Sequence, residues 1–473
     1  MNAPTPEISR DLAELDAVFD QQRHAARQSP NPSLSERRAH LDALHRLLVE
    51  NVDAIADAIS DDFGHRSAHE TKLLEIFPSV QGIRHAKSKM AKWMRPERKS
   101  VSLWFQPGRA RVVKQPLGVV GVIVPWNYPL YLAMGPLVSA LAAGNRVLIK
   151  MSEFTPGFGR LLAELTEKHF RRDQVAVLNG GVEIAQAFAG KPFDHLLFTG
   201  STAVGHHVMR AAAENLTPVT LELGGKSPAI VAPDFPLDIA VQRIMLGKCL
   251  NAGQTCIAPD YVFVHESQIQ RFIDLARNEV KRLYPHVPTS RDYTAIVNER
   301  HYQRLQGYLE DAQAHHAQVL PLGESSPGER KLAPTLVIGV SDRMRVMQDE
   351  IFGPLLPIMS YQTLDEVLSY VADHPRPLAL YYFDYNSSRV ERVLNETIAG
   401  GVTINDVIFH IAQDELPFGG VGPSGMGHYH GEEGFNTFSK RKGVFMQSRV
   451  NGAWLLKPPF GERMNKMLKF MIR

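Results

Sequence analysis

Between Ser33 and Val49 the apolar positions Leu41, Leu44, Leu47 and Leu48 fall three and four apart, the spacing that gathers side chains on one face of an α-helix. Ser33 with Glu36 supplies the reciprocal cap that opens such a helix. The first hundred residues as a whole read as a helical wrapping layer without chemistry of its own. From Val101 the period shortens to two: Val101, Leu103 and Phe105 alternate, Pro107-Gly108 turns the chain, and Arg111-Val112-Val113 follows. That pattern predicts a β-hairpin. Beyond it, short apolar runs alternate with helix-length segments, at Val119 to Val124, Arg146 to Ile149, Gln174 to Leu178, His195 to Phe198 and Ala229 to Val231, then at Tyr261 to Val264 and Gly401 to Ile404. Strands separated by helices form parallel sheets, because a parallel pair needs a crossover long enough to hold a helix. The expected fold class is α/β, with two α/β domains in series.

Composition narrows the function classes. A chain of 473 residues with 44% hydrophobic and 22% charged residues has an ordinary globular make-up and buries a large core without disulfides or metals. Lys plus Arg number 52 against 50 Asp plus Glu, so no long-range field favours nucleic acid. The only cysteines, Cys249 and Cys256, do not make an extracellular disulfide framework, and reduced thiols in a cytoplasm are expected. The start, Met1 to Glu7 followed by Asp11 and Glu14, lacks the basic and apolar regions of an export signal. No apolar run reaches the ~18 residues a membrane-spanning helix needs.

Three segments carry candidate chemistry. Asn251-Ala252-Gly253-Gln254-Thr255-Cys256 is a glycine-bearing polar turn ending in a thiol, able to present sulfur at a cleft; a free cysteine is otherwise most often a small buried apolar residue. Glu222, flanked by leucines and followed by Gly224-Gly225, sits where desolvation raises a carboxylate pKa toward that of a general base. A cap or ion-pair glutamate is the alternative. Asn127 lies between Pro125 and Pro129, which fix the backbone so that its carboxamide can meet a developing oxyanion, unless the turn is purely structural. For a cofactor, Gly200 to Gly205 follows a strand and precedes a helix, an arrangement that offers amides to phosphate but is by itself also a plain tight turn. Lys150 and Glu153, just past a strand, could meet a ribose diol.

PWNYP at Pro125 to Pro129, FTGSTAVG at Phe198 to Gly205, LELGGKSP at Leu221 to Pro228, NAGQTC at Asn251 to Cys256, EIFGP at Glu350 to Pro354 and PFGGVGPSGMG at Pro417 to Gly427 occur in the order of the aldehyde dehydrogenase superfamily. From about Arg111 to Phe445 the chain resembles that family, and most of all its class 3 branch with the bacterial coniferyl aldehyde dehydrogenases. The resemblance implies Cys256 as nucleophile, Glu222 as general base and Asn127 as oxyanion donor beside the Cys256 amide. It also implies NAD as cofactor, with NADP left open, held by Lys150 and Glu153 at the adenosine ribose, Gly200 and Ser201 at the pyrophosphate, and Glu350 and Phe352 at the nicotinamide ribose. Trp126, Gly181, Gly205 and Leu223 complete the implied cofactor set, and no metal is implied. Many relatives have a relay lysine where this chain has Pro136, so deacylation is expected to use water and Glu222 without it.

The implied reaction is oxidation of an aldehyde, coniferyl or another aromatic one, to its acid through a thiohemiacetal and a thioester. Alternatives left open are a medium- or long-chain aliphatic aldehyde, an acyl-CoA-forming reductase and a catalytically silent binding protein. The implied layout has residues 1–100 and 118–223 as the dinucleotide-binding domain and 224–417 as the catalytic domain. Residues 101–117 and 418–445 would form an oligomerisation arm that makes a homodimer, leaving 446–473 as a tail. In that tail Met464, Met467, Leu468, Met471 and Ile472 share a helical face, with Arg463, Lys466 and Arg473 available to the other. Packing on the protein itself is preferred over weak contact with a membrane surface, because one short stripe holds poorly to lipid.

Overall fold

The computed structural model describes residues 5–453 and 457–472; Arg473, placed above on the polar face of the tail, lies outside them. Helices α1 (Pro6–Gln28), α2 (Leu34–Val49), α3 (Val52–Phe63), α4 (Ala68–Thr71) and α5 (Phe77–Trp93) make the wrapping layer. Ser33 and Glu36 cap α2 reciprocally, and Leu41, Leu44, Leu47 and Leu48 are all buried. That stripe packs α2 on α5 and on α6 (Tyr131–Ala143). Between α4 and α5 a π-helical turn, Lys72–Ile76, carries the buried Glu75, and such turns recur at functional sites.

The expected hairpin exists with a different first arm. β1 (Glu97–Lys99) pairs antiparallel with β2 (Arg109–Pro116), and β16 (Ser439–Met446) joins on the other side of β2. Leu103–Phe105 is a 3₁₀ turn with exposed side chains rather than a strand. The polar strand carries Glu97 in ion pairs with Lys99, Lys114 and Arg441, whereas the apolar alternation after Val101 has no sheet face to cover. The segment after Phe418 also reaches this sheet late. β15 (Gly425–Met426) first adds to another sheet, and the helix Gly431–Thr437 packs on α6 before Ser439 enters the arm.

The first large sheet holds β3 (Val119–Ile123), β4 (Arg146–Lys150), β5 (Val175–Leu178), β6 (His195–Thr199) and β7 (Val219–Glu222) in parallel, with β15 antiparallel at the edge, in the order β15-β7-β6-β3-β4-β5. Every residue of β3 and β6 is buried, as strands covered by helices on both faces must be. The chain runs outward from β3 to β5, then returns past β3 to β6. Open α/β sheets bind ligands at such a reversal, at the carboxyl ends of the strands. Five residues, Leu223 to Ser227, lead from β7 into the second sheet. This holds β8 (Pro228–Val231), β9 (Tyr261–His265), β10 (Gln318–Pro321), β11 (Thr335–Ile338), β12 (Leu355–Tyr361), β13 (Ala379–Phe383) and β14 (Gly401–Ile404), ordered β10-β11-β12-β9-β8-β13-β14 with only β10 antiparallel. The two α/β sheets expected from the alternation are therefore present, and the short β7 to β8 link places Glu222 at their junction.

Candidate active site

The thiol loop is held by its own polar side chains. Helix α10 (Leu237–Cys249) ends in a tight turn where Asn251 and Ala252 take φ of 52° and 50° and Gly253 takes 72°. Left-handed backbone at an alanine is strained and persists only when its surroundings impose it. Here they do. The Asn251 amide donates to Glu70 Oε1 at 3.1 Å, and Asn251 Nδ2 donates to the carbonyls of Asn127 and Gln254 at 3.0 and 3.1 Å. Gln254 Nε2 donates to the Asn251 and Ala295 carbonyls, and Gln254 Oε1 accepts from the Val297 amide. A Cβ on Gly253 would strike the Gly353 carbonyl. The loop ends with Cys256 partly exposed, whereas Cys249 is packed away in the core.

Asn127 follows β3 and faces the same loop. Its Nδ2 donates to the Gln254 carbonyl at 3.2 Å, leaving a second hydrogen free. Its own carbonyl accepts from Asn251 Nδ2 and from Arg66 Nη1 at 3.2 Å. Arg66 pairs at 2.7 Å with Glu75 from the π-helical turn, and both side chains are fully buried. Glu75 in turn accepts from the Leu130 and Tyr131 amides, so an ion pair from the helical layer pins the turn that carries Asn127. Removing one partner of such a pair costs about 3–5 kcal/mol, because the other charge is left buried alone.

Glu222 ends β7, opposite Thr199 of β6 and Gly425 of β15. It is 3% exposed and neither carboxyl oxygen has a hydrogen-bond partner. Burial raises its pKa well above the usual carboxylate value. Burial also pushes the Cys256 thiol up to about 12, helped by the charges of Glu350 and Glu222. The resting thiol keeps its proton, and a carboxyl shifted upward is a better matched proton acceptor near neutral pH than an ordinary glutamate.

The cofactor candidates line the carboxyl ends of the first sheet and the facing loop of the second. Ser201 caps α9 (Thr202–Ala213), accepting from the Val204 amide, and is exposed; the Gly200 amide donates to the Glu222 carbonyl at 3.0 Å. A Cβ on Gly200 would meet the Phe198 ring at 2.5 Å, and one on Gly205 would meet Leu223 at 2.7 Å. Gly181 caps α8 (Val182–Ala189) without a side chain. Lys150 is 1% exposed and ties the ends of β4 and β5, donating to the Met151 and Gly180 carbonyls at 2.7 Å each, which leaves one of its three hydrogens. Glu153 is exposed in a groove beside Asn179 and Gly180. Trp126 meets Phe352 edge-on at 5.3 Å and His301 at 5.1 Å. Arg304 spans the loop from below, donating to the Ile351 and Phe352 carbonyls. Glu350 Oε1 is buried without a partner, its carboxylate lies where a Cβ on Gly224 would be, and burial raises its pKa to about 8.

Glu222 thus lies within electrostatic reach of Cys256, Asn127 bonds the loop that ends in Cys256, and the cofactor candidates run from there along the carboxyl ends of the first sheet to the groove at Glu153. Arg66, Glu70, Glu75, Asn251 and Gln254 were not foreseen as site residues. The last two sit within the NAGQTC segment and could have been found there as polar residues crowded beside a glycine; the others act across long sequence separations.

The aldehyde dehydrogenase family model matches residues 7–444, and the chain belongs to that family. It is 55% identical to a probable coniferyl aldehyde dehydrogenase of Pseudomonas aeruginosa, with 98% of each chain covered. Among solved structures it is similar to the substrate-bound state of Staphylococcus aureus AldH, with TM-score 0.92, 37% identity, and 97% and 99% of the two chains covered. It is also similar to a Mycobacterium tuberculosis aldehyde dehydrogenase complexed with NAD⁺, with TM-score 0.84, 29% identity and 93% and 92% coverage. The chain is accordingly a nicotinamide-dependent enzyme that oxidises aldehydes to carboxylic acids.

Proposed function

We propose that this enzyme oxidises coniferyl aldehyde or a similar aromatic aldehyde, with Cys256 as nucleophile, Glu222 as base and Asn127 as oxyanion donor. The observation that carries the roles is that the buried Glu222 acts electrostatically on Cys256 while Asn127 bonds the loop presenting that thiol, each residue coming from a different, distant segment. Near-complete coverage at 55% identity by a probable coniferyl aldehyde dehydrogenase supports the substrate class.

The Cys256 thiol gives its proton to solvent and its sulfur adds to the aldehyde carbon, while the free Asn127 hydrogen and the Cys256 amide stabilise the oxyanion. NAD suits the residues present: the exposed Ser201 at the start of α9 offers free amides to phosphate, and the partnerless Glu350 Oε1 is an acceptor suited to a ribose hydroxyl. When bound it supplies the hydride acceptor that takes the thiohemiacetal to the thioester oxidation level. Glu222 then takes a proton from the water that attacks the thioester carbon, and Cys256 leaves as thiolate. A carboxylate base at this point favours hydrolysis over transfer to coenzyme A.

Comparing kcat/KM for coniferyl aldehyde, benzaldehyde and octanal tests the substrate class. The expected order puts the aromatic aldehydes first, and a preference for octanal would overturn it. A homodimer through the β1, β2 and β16 sheet, in a cytoplasmic setting, belongs to the same proposal. Light scattering that finds a stable monomer would defeat the dimer. Among the described residues no helix is long and apolar enough to cross a membrane.

A further inference from the structure

The bonds that hold the thiol loop reach only as far as the Gln254 carbonyl. The peptide that carries the Cys256 amide comes next, and another pair of side chains governs it. Thr255 is 7% exposed, and its Oγ1 lies 2.7 Å from the Tyr128 hydroxyl. Among the described residues neither hydroxyl has another hydrogen-bond partner. Tyr128 follows Asn127 in the chain and Thr255 precedes Cys256, so one bond between neighbours ties two segments 127 residues apart. The phenol is itself fixed. Pro129 restricts the backbone beyond it, and the Arg66 guanidinium, paired with Glu75, lies over its ring at 4.9 Å and over that of Phe63 at 5.3 Å. Arg66 Nε and Nη2 have no hydrogen-bond partner, so these rings complete the surroundings of a cation that otherwise meets Glu75 and the Asn127 carbonyl. Beyond Cys256 in the chain, the Tyr381 hydroxyl donates to the Ile257 carbonyl. Burial raises the Tyr128 phenol far above its usual range, which makes it a fixed dipole rather than a proton carrier.

We propose that the hydrogen bond between Tyr128 and Thr255 sets the spacing of the two oxyanion donors, Asn127 Nδ2 and the Cys256 amide, and that both hydroxyls are positioning groups for the addition step. This rests on the reading of Cys256 and Asn127 given under the proposed function. The Cys256 amide and the Thr255 carbonyl belong to one peptide unit. A Thr255 side chain released from Tyr128 lets that peptide turn, and with it the direction of the amide hydrogen. Donors to an oxyanion act at about 2.7–3.1 Å, a narrow range that a small rotation leaves. Substrate binding precedes the oxyanion and does not draw on this geometry, so the bond acts on the transition state alone. Both hydroxyls work through the backbone of Cys256 and need no contact with the substrate.

Tyr128→Phe removes one hydroxyl and keeps the ring over Arg66, and Thr255→Val removes the other at nearly equal size. Each should slow NADH formation in a single turnover about tenfold, a part of the hundredfold that a misplacement of about 1 Å costs. The aldehyde concentration giving half the maximal rate and the urea midpoint should stay close to those of the unmodified enzyme. The double variant should be no slower than either single one, because the same bond is lost in all three. Thr255→Ser keeps a hydroxyl and should retain most of the rate. Alkylation of Cys256 by iodoacetamide passes through no oxyanion and should keep its rate in every variant. Unchanged NADH formation in the single variants, losses that multiply in the double variant, a Thr255→Ser as slow as Thr255→Val, or alkylation slowed as much as NADH formation each overturns the proposal. Asn127→Ala separates it from the reading beneath it. A loss of about 10²–10³-fold there, beside unaffected hydroxyl variants, removes only the tie, whereas a normal rate in Asn127→Ala removes the oxyanion site itself.

Discussion

The loop that carries Cys256 and the rim that faces the cofactor are built in opposite ways. Asn251 and Gln254 are fully buried, and between them they hold six hydrogen bonds around a left-handed turn. At the rim, Ser201 and Glu153 are exposed, and the glycines at 181, 200 and 205 serve by having no side chain. Reacting atoms need fixed positions, and a misplacement of about 1 Å costs on the order of a hundredfold in rate. A dissociable cofactor needs a surface it can leave. The difference shows that one active site stores rigidity where bonds change and openness where a ligand exchanges.

Breaking the rigid side should have the largest effect. Cys256→Ala is expected to remove dehydrogenase activity by roughly 10⁴-fold or more, while Cys249→Ala, in the core seven residues before it, keeps most of it. Equal loss in both would undo the distinction between the two thiols. Glu222→Gln should follow: NADH is still released in the first turnover while steady-state turnover falls about 10²–10⁴-fold, the range for general base catalysis. Loss of the first-turnover release as well would show that Glu222, rather than solvent, takes the thiol proton.

Next come the supports. Asn251→Ala or Gln254→Ala leaves several buried groups unpaired at about 1–3 kcal/mol each, so denaturant unfolding should show a loss of a few kcal/mol together with lower kcat. A variant with native stability would mean that the loop is not held by these bonds. The smallest effect is expected at the rim, where Glu153→Ala should leave stability within about 0.5 kcal/mol. Its mark should be an improved kcat/KM for NADP relative to NAD, because a carboxylate that repels a 2′-phosphate is gone. An unchanged ratio would place the discrimination elsewhere in the groove.

What the sequence disclosed follows the same division. Periodicity located the α2 stripe and β3, β4, β5, β6, β8, β9 and β14, since those signals are local and burial imposes them; it left β7 and β10 to β13 unplaced. The thiol, the base and the asparagine were legible because each stands in a short stretch whose neighbours restrict it. The ion pair of Arg66 with Glu75 was not, for neither has a local reason to matter: their role lies in Asn127 and in the amides of Leu130 and Tyr131, more than fifty residues away. The first arm of the hairpin was misplaced because alternation after Val101 was read as a buried face. The actual first arm is the ladder of Glu97–Lys99 on β2, whose polar side chains include Glu97 in ion pairs with Lys99, Lys114 and Arg441. The tail helix, Glu462–Met471, has Met464, Met467 and Met471 partly covered and leaves Leu468 and Ile472 exposed, while Phe470 meets Trp104 of the arm edge-on at 6.4 Å. No residue of this helix is buried, and its aromatic contact with the arm comes from Phe470, outside the face named from the sequence.

β15 gives the molecule a timetable. Gly425 pairs with Glu222, the Leu223 amide donates to the Ser424 carbonyl, and Gly425 fits only because a side chain there would strike the Leu221 carbonyl. A ribosome that has released β7 must still make the whole second sheet before the strand bearing the base gains this neighbour. Until then β7 is an open edge, of the kind that invites pairing with a foreign strand. Nascent chains stopped before Ser424 are therefore the ones most exposed to misassembly, and the enzyme becomes competent only when nearly all of it has been translated.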